Sequence, residues 1–459
     1  MPIKLTESVR QQVRDRLKLG EDRAEIGASL GLTRSQVAAI AAHMKMGTYS
    51  NCYSGPPEEE INSQPFVETS TRSSAAVLLG TDPLAATDVY WDPEPSSGQQ
   101  NPHMLVLGAS GSGKTYGITC VVAELSKLGI PTIIFDYGQG FSLEALPPEF
   151  LDAAKPIEIL ASRQGINLNP LSLFASDLLG PVNVAQRIAD TFGRVYRIGV
   201  QQHSILRQAI IDIMADRGIV ADDEKSWANN PPSFADLEGR LAEIARGTGP
   251  KARSAASVAS HLSTVFVYDT FRDNGVRLSW DNLLRAGQVT IVQLKGLERS
   301  LESAVTELLL WNFIGHIEST GPSKLRGFIV LDEAHKLRID HSSPVERILR
   351  EGRKFGVGLL IASQQPKDFS EVAFANTATK LLFQLGANTL PVLKKMISSA
   401  GEGIPDSDFF QLSRGNAHVV VGRKVKRVQI LDLALRQKRW GQVKQSAIND
   451  RSNDDLGNG

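Results

Sequence analysis

The chain has 459 residues, too many for one minimal domain, so two or three are expected. Lys+Arg and Asp+Glu both number 50 and cancel, so bulk charge argues neither for nor against nucleic acid; only local patches can speak. A charged N-terminus without an apolar h-region excludes a signal peptide, and no uncharged apolar run is long enough to span a bilayer, so a soluble, cytoplasmic protein with no membrane partner is expected.

The first 48 residues read as a separate all-α unit. Val9, Val13 and Leu17 recur at helical spacing, Ile26 and Leu30 mark a second helix, and Val37, Ile40, Ala41 and Met44 a third. Gly31-Leu32 forms a turn, and Thr33 to Gln36 has the form of a capping box. Two short helices joined by a Gly-containing turn, with a supporting helix in front, describe a helix-turn-helix. A linker rich in Ser, Pro, Thr and Gly follows over residues 49–74. Cys52 falls in it, and Cys120 in a later helix expected to pack on a sheet; the two match no metal-ligand spacing, and Cys120 reads as a buried, inert thiol.

Residues 75–440 read as an α/β domain. Val77-Leu78-Leu79 and Val89-Tyr90-Trp91 are strand-like, and from His103 apolar strands alternate with helices. The strand segments are HMLVLG, PTIIFD, VTIVQL, GFIVLD, VGLLIAS, TKLLFQL and AHVVVG. Several are continuous apolar runs, which predicts strands buried on both faces of a mostly parallel sheet. A helical insertion is expected at about 182–275, and residues 441–459 form a polar tail.

MLVLG runs into Gly108-Ala-Ser110-Gly111-Ser112-Gly113-Lys114-Thr115-Tyr116 and then into a helical segment. This is GxxxxGK[ST] in the strand-to-helix context that its chemistry needs. The glycines let the loop wrap closely, so backbone N–H groups point at a phosphate, and the helix adds its positive end. Lys114 reaches the β- and γ-phosphates of a nucleoside triphosphate such as ATP, and the Thr115 hydroxyl can ligate Mg²⁺. The complementary acidic half is expected at the end of another buried strand, where GFIVL leads into Asp332-Glu333-Ala334-His335. Asp332 would hold the Mg²⁺ through water, and Glu333 would orient the attacking water. An acidic pair after a strand is otherwise only a helix N-cap. His335 either senses the γ-phosphate or packs, with packing the plainer role. Gln364, after the strand VGLLIAS, is read as a γ-phosphate sensor, or else as an amide in a turn before Pro366. Arg347, Arg350, Arg353 and Lys354 read as a charged helix face; alternatively Arg350 or Arg353 crosses a subunit interface as an arginine finger.

From about residue 100 to 432 the chain resembles the HerA/FtsK superfamily of ring-forming DNA-pumping ATPases. GASGSGKTY, FDYGQGFS, INLNPLSLF, FIVLDEAHKL and the block from LREGRKFG to KLLFQL carry the likeness. The resemblance implies a RecA-like P-loop NTPase fold, a homo-oligomer (typically hexameric) with ATP between subunits, and a channel that pulls duplex DNA. It implies the motif roles of Lys114, Thr115, Asp332, Glu333 and Gln364, makes Arg353 the best-matching trans finger, and places Asp136 near the nucleotide. Two departures stand out: HerA proteins carry an N-terminal β-barrel that binds a nuclease partner, and FtsK proteins a membrane anchor. The segment around Val89–Pro93 and Asn101–His103 resembles HerA-like ATPases of defence systems, which implies a nuclease or defence partner.

Residues 1–51 hold eight Lys or Arg against five Asp or Glu. Arg34, Ser35, Gln36 and His43 could enter a DNA groove, but a three-helix protein-docking module fits the same pattern. An ATP-driven motor on double-stranded DNA is the expected function. The rivals are a conjugation- or secretion-type ATPase acting on a protein or nucleoprotein, and a component switched by ATP.

Overall fold

The computed structural model describes residues 7–19, 21, 23–32, 37, 73–94, 101–272, 278–396, 409, 411–422 and 424–442. The chain divides into two compact units, Met1–Glu68 and Thr69–Gly459.

The first unit holds α1 (Glu7–Lys18) and α2 (Arg23–Leu30). Val9, Val13 and Leu17 share one face of α1 because they are spaced at four. Val13 is buried with Ile26, Leu32 and Val37, and Val9, Leu17 and Leu30 pack against them. Apart from Val37, the expected capping box and third helix lie outside the described residues, as do positions 38–72 and the tail from 443.

The second unit is built on β1 (Val77–Thr81), β2 (Asp88–Trp91), β3 (Met104–Leu107), β4 (Thr132–Asp136), β5 (Ile157–Leu160), β6 (Val289–Gln293), β7 (Gly327–Leu331), β8 (Val357–Ser363), β9 (Thr379–Leu382), β10 (Asn416–Val421) and β11 (Lys424–Ile430). One sheet takes all of these in the order β2-β1-β11-β10-β9-β3-β8-β7-β4-β6-β5. From β9 to β5 the neighbours run parallel; in β3, Leu105 lies opposite Ile361 of β8 and Lys380 of β9. Helical crossovers permit that arrangement. Beyond β9 the sheet turns antiparallel, with Val419 opposite Leu381 and Val421 opposite Lys424 across a tight hairpin.

Strand side chains alternate between two cores. Leu105, Leu107, Phe135, Leu331 and Ile361 face one; Met104, Val106, Ile134, Val330 and Leu360 face the other. Both faces are covered, so the central strands are mostly apolar. At Gly358 a side chain would overlap the Phe328 ring, so this strand position stays bare where an aromatic crosses it.

The second core is closed by α3 (Lys114–Lys127) and α4 (Pro148–Ala154). Between β5 and β6 come α5 (Pro181–Tyr196), α6 (Val200–Asp216), α7 (Phe234–Ala245), α8 (Pro250–His261) and α9 (Ser263–Tyr268), the helical stretch expected at about 182–275. They join the first core together with α10 (Trp280–Leu283) and α11 (Arg299–Thr320). Next come α12 (Pro344–Glu351), α13 (Glu371–Ala375) and α14 (Leu390–Met396), and residues 433–442 form α15. No described helix is long and apolar enough to cross a membrane.

Candidate nucleotide-binding site

Between the end of β3 and the start of α3 the chain must reverse within residues 108–113. Gly111 (φ 76°) and Gly113 (φ 103°) supply the left-handed backbone that this needs. Gly108 is required for space: a Cβ there would lie 2.6 Å from Ser112 Oγ and 2.7 Å from Phe383 Cβ. Gly117, one turn into α3, faces the same buried Phe383 ring, 2.6 Å from an added Cβ. Together they seat the loop and the first turn of α3 against β9. No side chain caps α3 at Gly113, so its first-turn N–H groups remain available to an anion. Lys114 Nζ donates to the carbonyls of Gly108 (2.7 Å) and Ala109 (3.0 Å). Burial pulls the Lys114 pKa down, while the Asp332 and Glu333 carboxylates oppose that shift.

At the end of β7 stand Asp332 and Glu333. Burial pushes the Asp332 carboxyl up to about 6, and Asp136 and Glu333 push the same way; the Glu333 N–H, which donates to Asp332 Oδ1 at 3.0 Å, and Lys114 oppose it. Glu333 has φ 56° and ψ 47°, a left-handed backbone on a side chain that gains nothing locally from it. Strain of this kind clusters at functional sites.

The loop after β4 closes the flank. Asp136 is fully buried and accepts the N–H groups of Gly138 (2.9 Å) and Phe141 (2.8 Å) and the Gln293 amide (2.9 Å). Its carboxylate therefore folds the loop, laying Gly138 beside Glu333 and Gly140 between Thr115 and Asp332. A Cβ on Gly140 would stand 4.0 Å from both Thr115 Oγ1 and Asp332 Oδ2.

The resulting cleft, about 270 Å³, opens at the C-terminal ends of β3, β7 and β8. Ser110, Gly111, Gly113, Lys114, Thr115, Tyr116, Asp332, Glu333, Ser363, Gln364 and Arg414 line it. The Tyr116 hydroxyl donates to Asp432 (2.8 Å) and accepts the Leu433 N–H (3.1 Å), which ties the cleft to α15. Gly108 and Ser112 lie behind the lining as scaffold. His335 is exposed rather than packed. Cys120 is a buried free thiol whose pKa burial pushes up to about 11.

Arg350 and Arg353 do not line this cleft. They precede β8, at the opposite end of a strand that spans roughly 23 Å at ~3.3 Å per residue. Arg350 Nε donates to the buried Glu346 at 2.8 Å. Arg414 has no motif to announce it. It comes from the turn before β10, where the Gly415 N–H donates to Ser112 O at 3.3 Å and docks that turn on the phosphate loop.

Loop N–H groups, Lys114 and the α3 N-terminus make a phosphate cradle. Thr115 and Asp332 offer hard oxygen donors on either side of one point, a set suited to Mg²⁺, which is held by few protein ligands and by phosphate oxygens. Sheet order and cleft together define a P-loop NTPase of RecA-like fold.

Residues 100–313 match the family model for the central domain of the helicase HerA. The DNA double-strand break repair helicase HerA of Saccharolobus solfataricus is 26% identical over 346 residues, covering 71% of this chain and 62% of that protein. Its counterpart from Sulfolobus acidocaldarius is 24% identical over 345 residues, 72% of this chain and 64% of that protein. The chain thus spans less than two thirds of the length of these relatives. Among solved structures, VirB4 of Thermoanaerobacter pseudethanolicus superposes with a TM-score of 0.64 at 16% identity, covering 80% of this chain and 98% of that one. The plasmid coupling protein TrwB, in complex with the non-hydrolysable ATP analogue ADPNP, gives 0.53 at 16% identity over 81% and 96%. The likeness to the HerA central domain thus lies over residues 100–313, within a fold shared with VirB4 and TrwB.

Proposed function

We propose that this protein is an ATP-driven, cytoplasmic motor that acts on double-stranded DNA as a homo-oligomeric ring, most simply a hexamer. The observation that carries the reading is the meeting of Lys114 and Thr115 with Asp332 and Glu333 in one cleft, with Gln364 beside them. Lys114 and the loop N–H groups hold the triphosphate. Mg²⁺, taken by Thr115 and through water by Asp332, would neutralise charge on the β- and γ-oxygens. Glu333 orients and polarises the attacking water, and Gln364 reports the γ-phosphate to the end of β8. Arg353 of a neighbouring subunit completes the site. Arg350, whose guanidinium Glu346 holds, is the alternative finger. Likeness to HerA supports DNA as the substrate, and the basic excess in the first 51 residues supports steering by the N-terminal unit, alone or with a nuclease or defence partner.

The decisive test is steady-state ATP hydrolysis with and without linear duplex DNA, with Glu333→Gln as the blank. Stimulation that grows with duplex length is the expected result. Turnover indifferent to DNA would overturn the motor reading in favour of a secretion-type ATPase or an ATP switch.

A further inference from the structure

We propose that Lys336 is a positioning residue for Glu333, anchored by the buried carboxylate of Glu302 so that it orients Glu333 without neutralising it. The inference rests on the reading of Glu333 as the residue that aligns water.

Lys336 ends the tight turn Ala334–Lys336 that follows Glu333. Its ammonium lies 2.9 Å from Glu302 Oε2, 3.5 Å from the Tyr137 carbonyl and 3.7 Å from Glu333 Oε2, with its charge 5.2 Å above the Tyr137 ring. The seat itself is fixed. Tyr137, in the loop after β4, shares a 2.9 Å hydrogen bond with Thr306, one helical turn after Glu302 on α11, so one face of α11 holds both the ring and the anchoring acid. The Glu333 carboxylate also lies beside the Gly138 backbone, its Oε1 3.8 Å from a Cβ placed on that glycine. A left-handed backbone, the nearby Gly138 backbone and a held cation together restrict the carboxylate, which lines the cleft.

The distances separate two roles that the lysine could have. At 2.9 Å it is hydrogen-bonded to Glu302, whereas 3.7 Å to Glu333 is beyond hydrogen-bond reach yet within strong electrostatic range. Glu302 thereby keeps the ammonium off Glu333 and leaves its lone pairs to water. Stability alone gives no reason for the pair, since an apolar replacement of a buried ion pair is often as stable.

The test replaces both partners, Glu302→Gln with Lys336→Met, so that no buried charge is orphaned. Expected is a folded protein whose nucleotide Kd and KM stay within about twofold of wild type while kcat falls at least tenfold. The single variant Lys336→Arg, which retains a cation on the Glu302 anchor, should recover most of kcat. Wild-type kcat in the double variant would reduce Lys336 to a counter-ion of Glu302 and overturn the inference. If the double variant does not fold, Glu302→Gln alone decides. Release of the ammonium onto Glu333 should lower kcat with Kd unchanged, and an unchanged kcat refutes the role. Glu333→Gln run alongside separates the two failures: turnover in that variant sinks the reading of Glu333 itself, whereas a dead Glu333→Gln beside a normal double variant sinks only this inference.

Discussion

Burial and two neighbouring carboxylates raise the Asp332 pKa to about 6, so at neutral pH the folded protein holds this charge at a cost. The proton is bound more tightly in the folded than in the unfolded chain. Its contribution to stability is therefore complete below the ordinary carboxylate range and lost as pH rises through about 6. Asp332→Asn retains an acceptor for the Glu333 N–H and escapes that loss. In nucleotide- and Mg²⁺-free protein at pH 7 it should be about 2–3 kcal/mol more stable than wild type, the gap closing below about pH 4. Urea denaturation at both pH values checks this; equal stabilities at pH 7 would contradict it. Magnesium-dependent hydrolysis should be lost in the same variant. Lys114 and Thr115 were legible because a motif fixes them by spacing along the chain, and Asp332 because it follows a buried apolar strand. Arg414, Glu302 and the seat of Lys336 were not, because their meaning lies in what folding brings beside them.

At the scale of elements, the strands β3, β4, β6, β7, β8, β9 and β10 could be read directly, since burial on both faces makes them mostly apolar. The strands β5 and β11 could not. In β5, at the sheet edge, only Ile159 is buried, and β11 mixes Lys424, Lys426, Arg427 and Gln429 with apolar residues. The helix α15 was equally silent, yet it is fastened by Arg436, which is fully buried. That guanidinium donates to the carbonyls of Leu78, Leu79 and Leu431 and to Glu124 on α3, the last at 2.7 Å. Arg436→Met removes a donor shared by Glu124 and three carbonyls, leaving Glu124 only Trp440 Nε1 at 3.4 Å and Leu79 only the Leu431 N–H, and should destabilise by about 3–5 kcal/mol. Adding Glu124→Met should return part of the loss, measured as Tm by calorimetry. No recovery would mean that the carbonyl contacts dominate.

At the scale of the whole molecule, the sites that sequence assigned to one function divide by position. The cleft takes its residues from the C-terminal ends of the strands, while Arg350 and Arg353 lie at the other end of β8. Sequence could name the arginines but not the distance between them and the cleft. If Arg353 serves a neighbour's cleft, Glu333→Gln and Arg353→Ala proteins, each inactive alone, should regain hydrolysis when mixed, because an Arg353→Ala subunit keeps a good glutamate for its partner's intact arginine. A mixture as inactive as its components would remove Arg353 from the site. The same division explains why nucleotide affinity should survive Arg353→Ala but fail in Lys114→Ala.

The backbone at Glu333 also bears on how this sequence can change over generations. A left-handed residue with a long side chain loses roughly 1–2 kcal/mol that glycine would keep, and asparagine loses less. Mutational drift under pressure for folding alone therefore runs downhill from glutamate at this position, and only pressure for turnover runs against it. A library diversified at position 333 and sorted solely for soluble expression should fill with Gly and Asn, whereas one sorted for hydrolysis should return Glu.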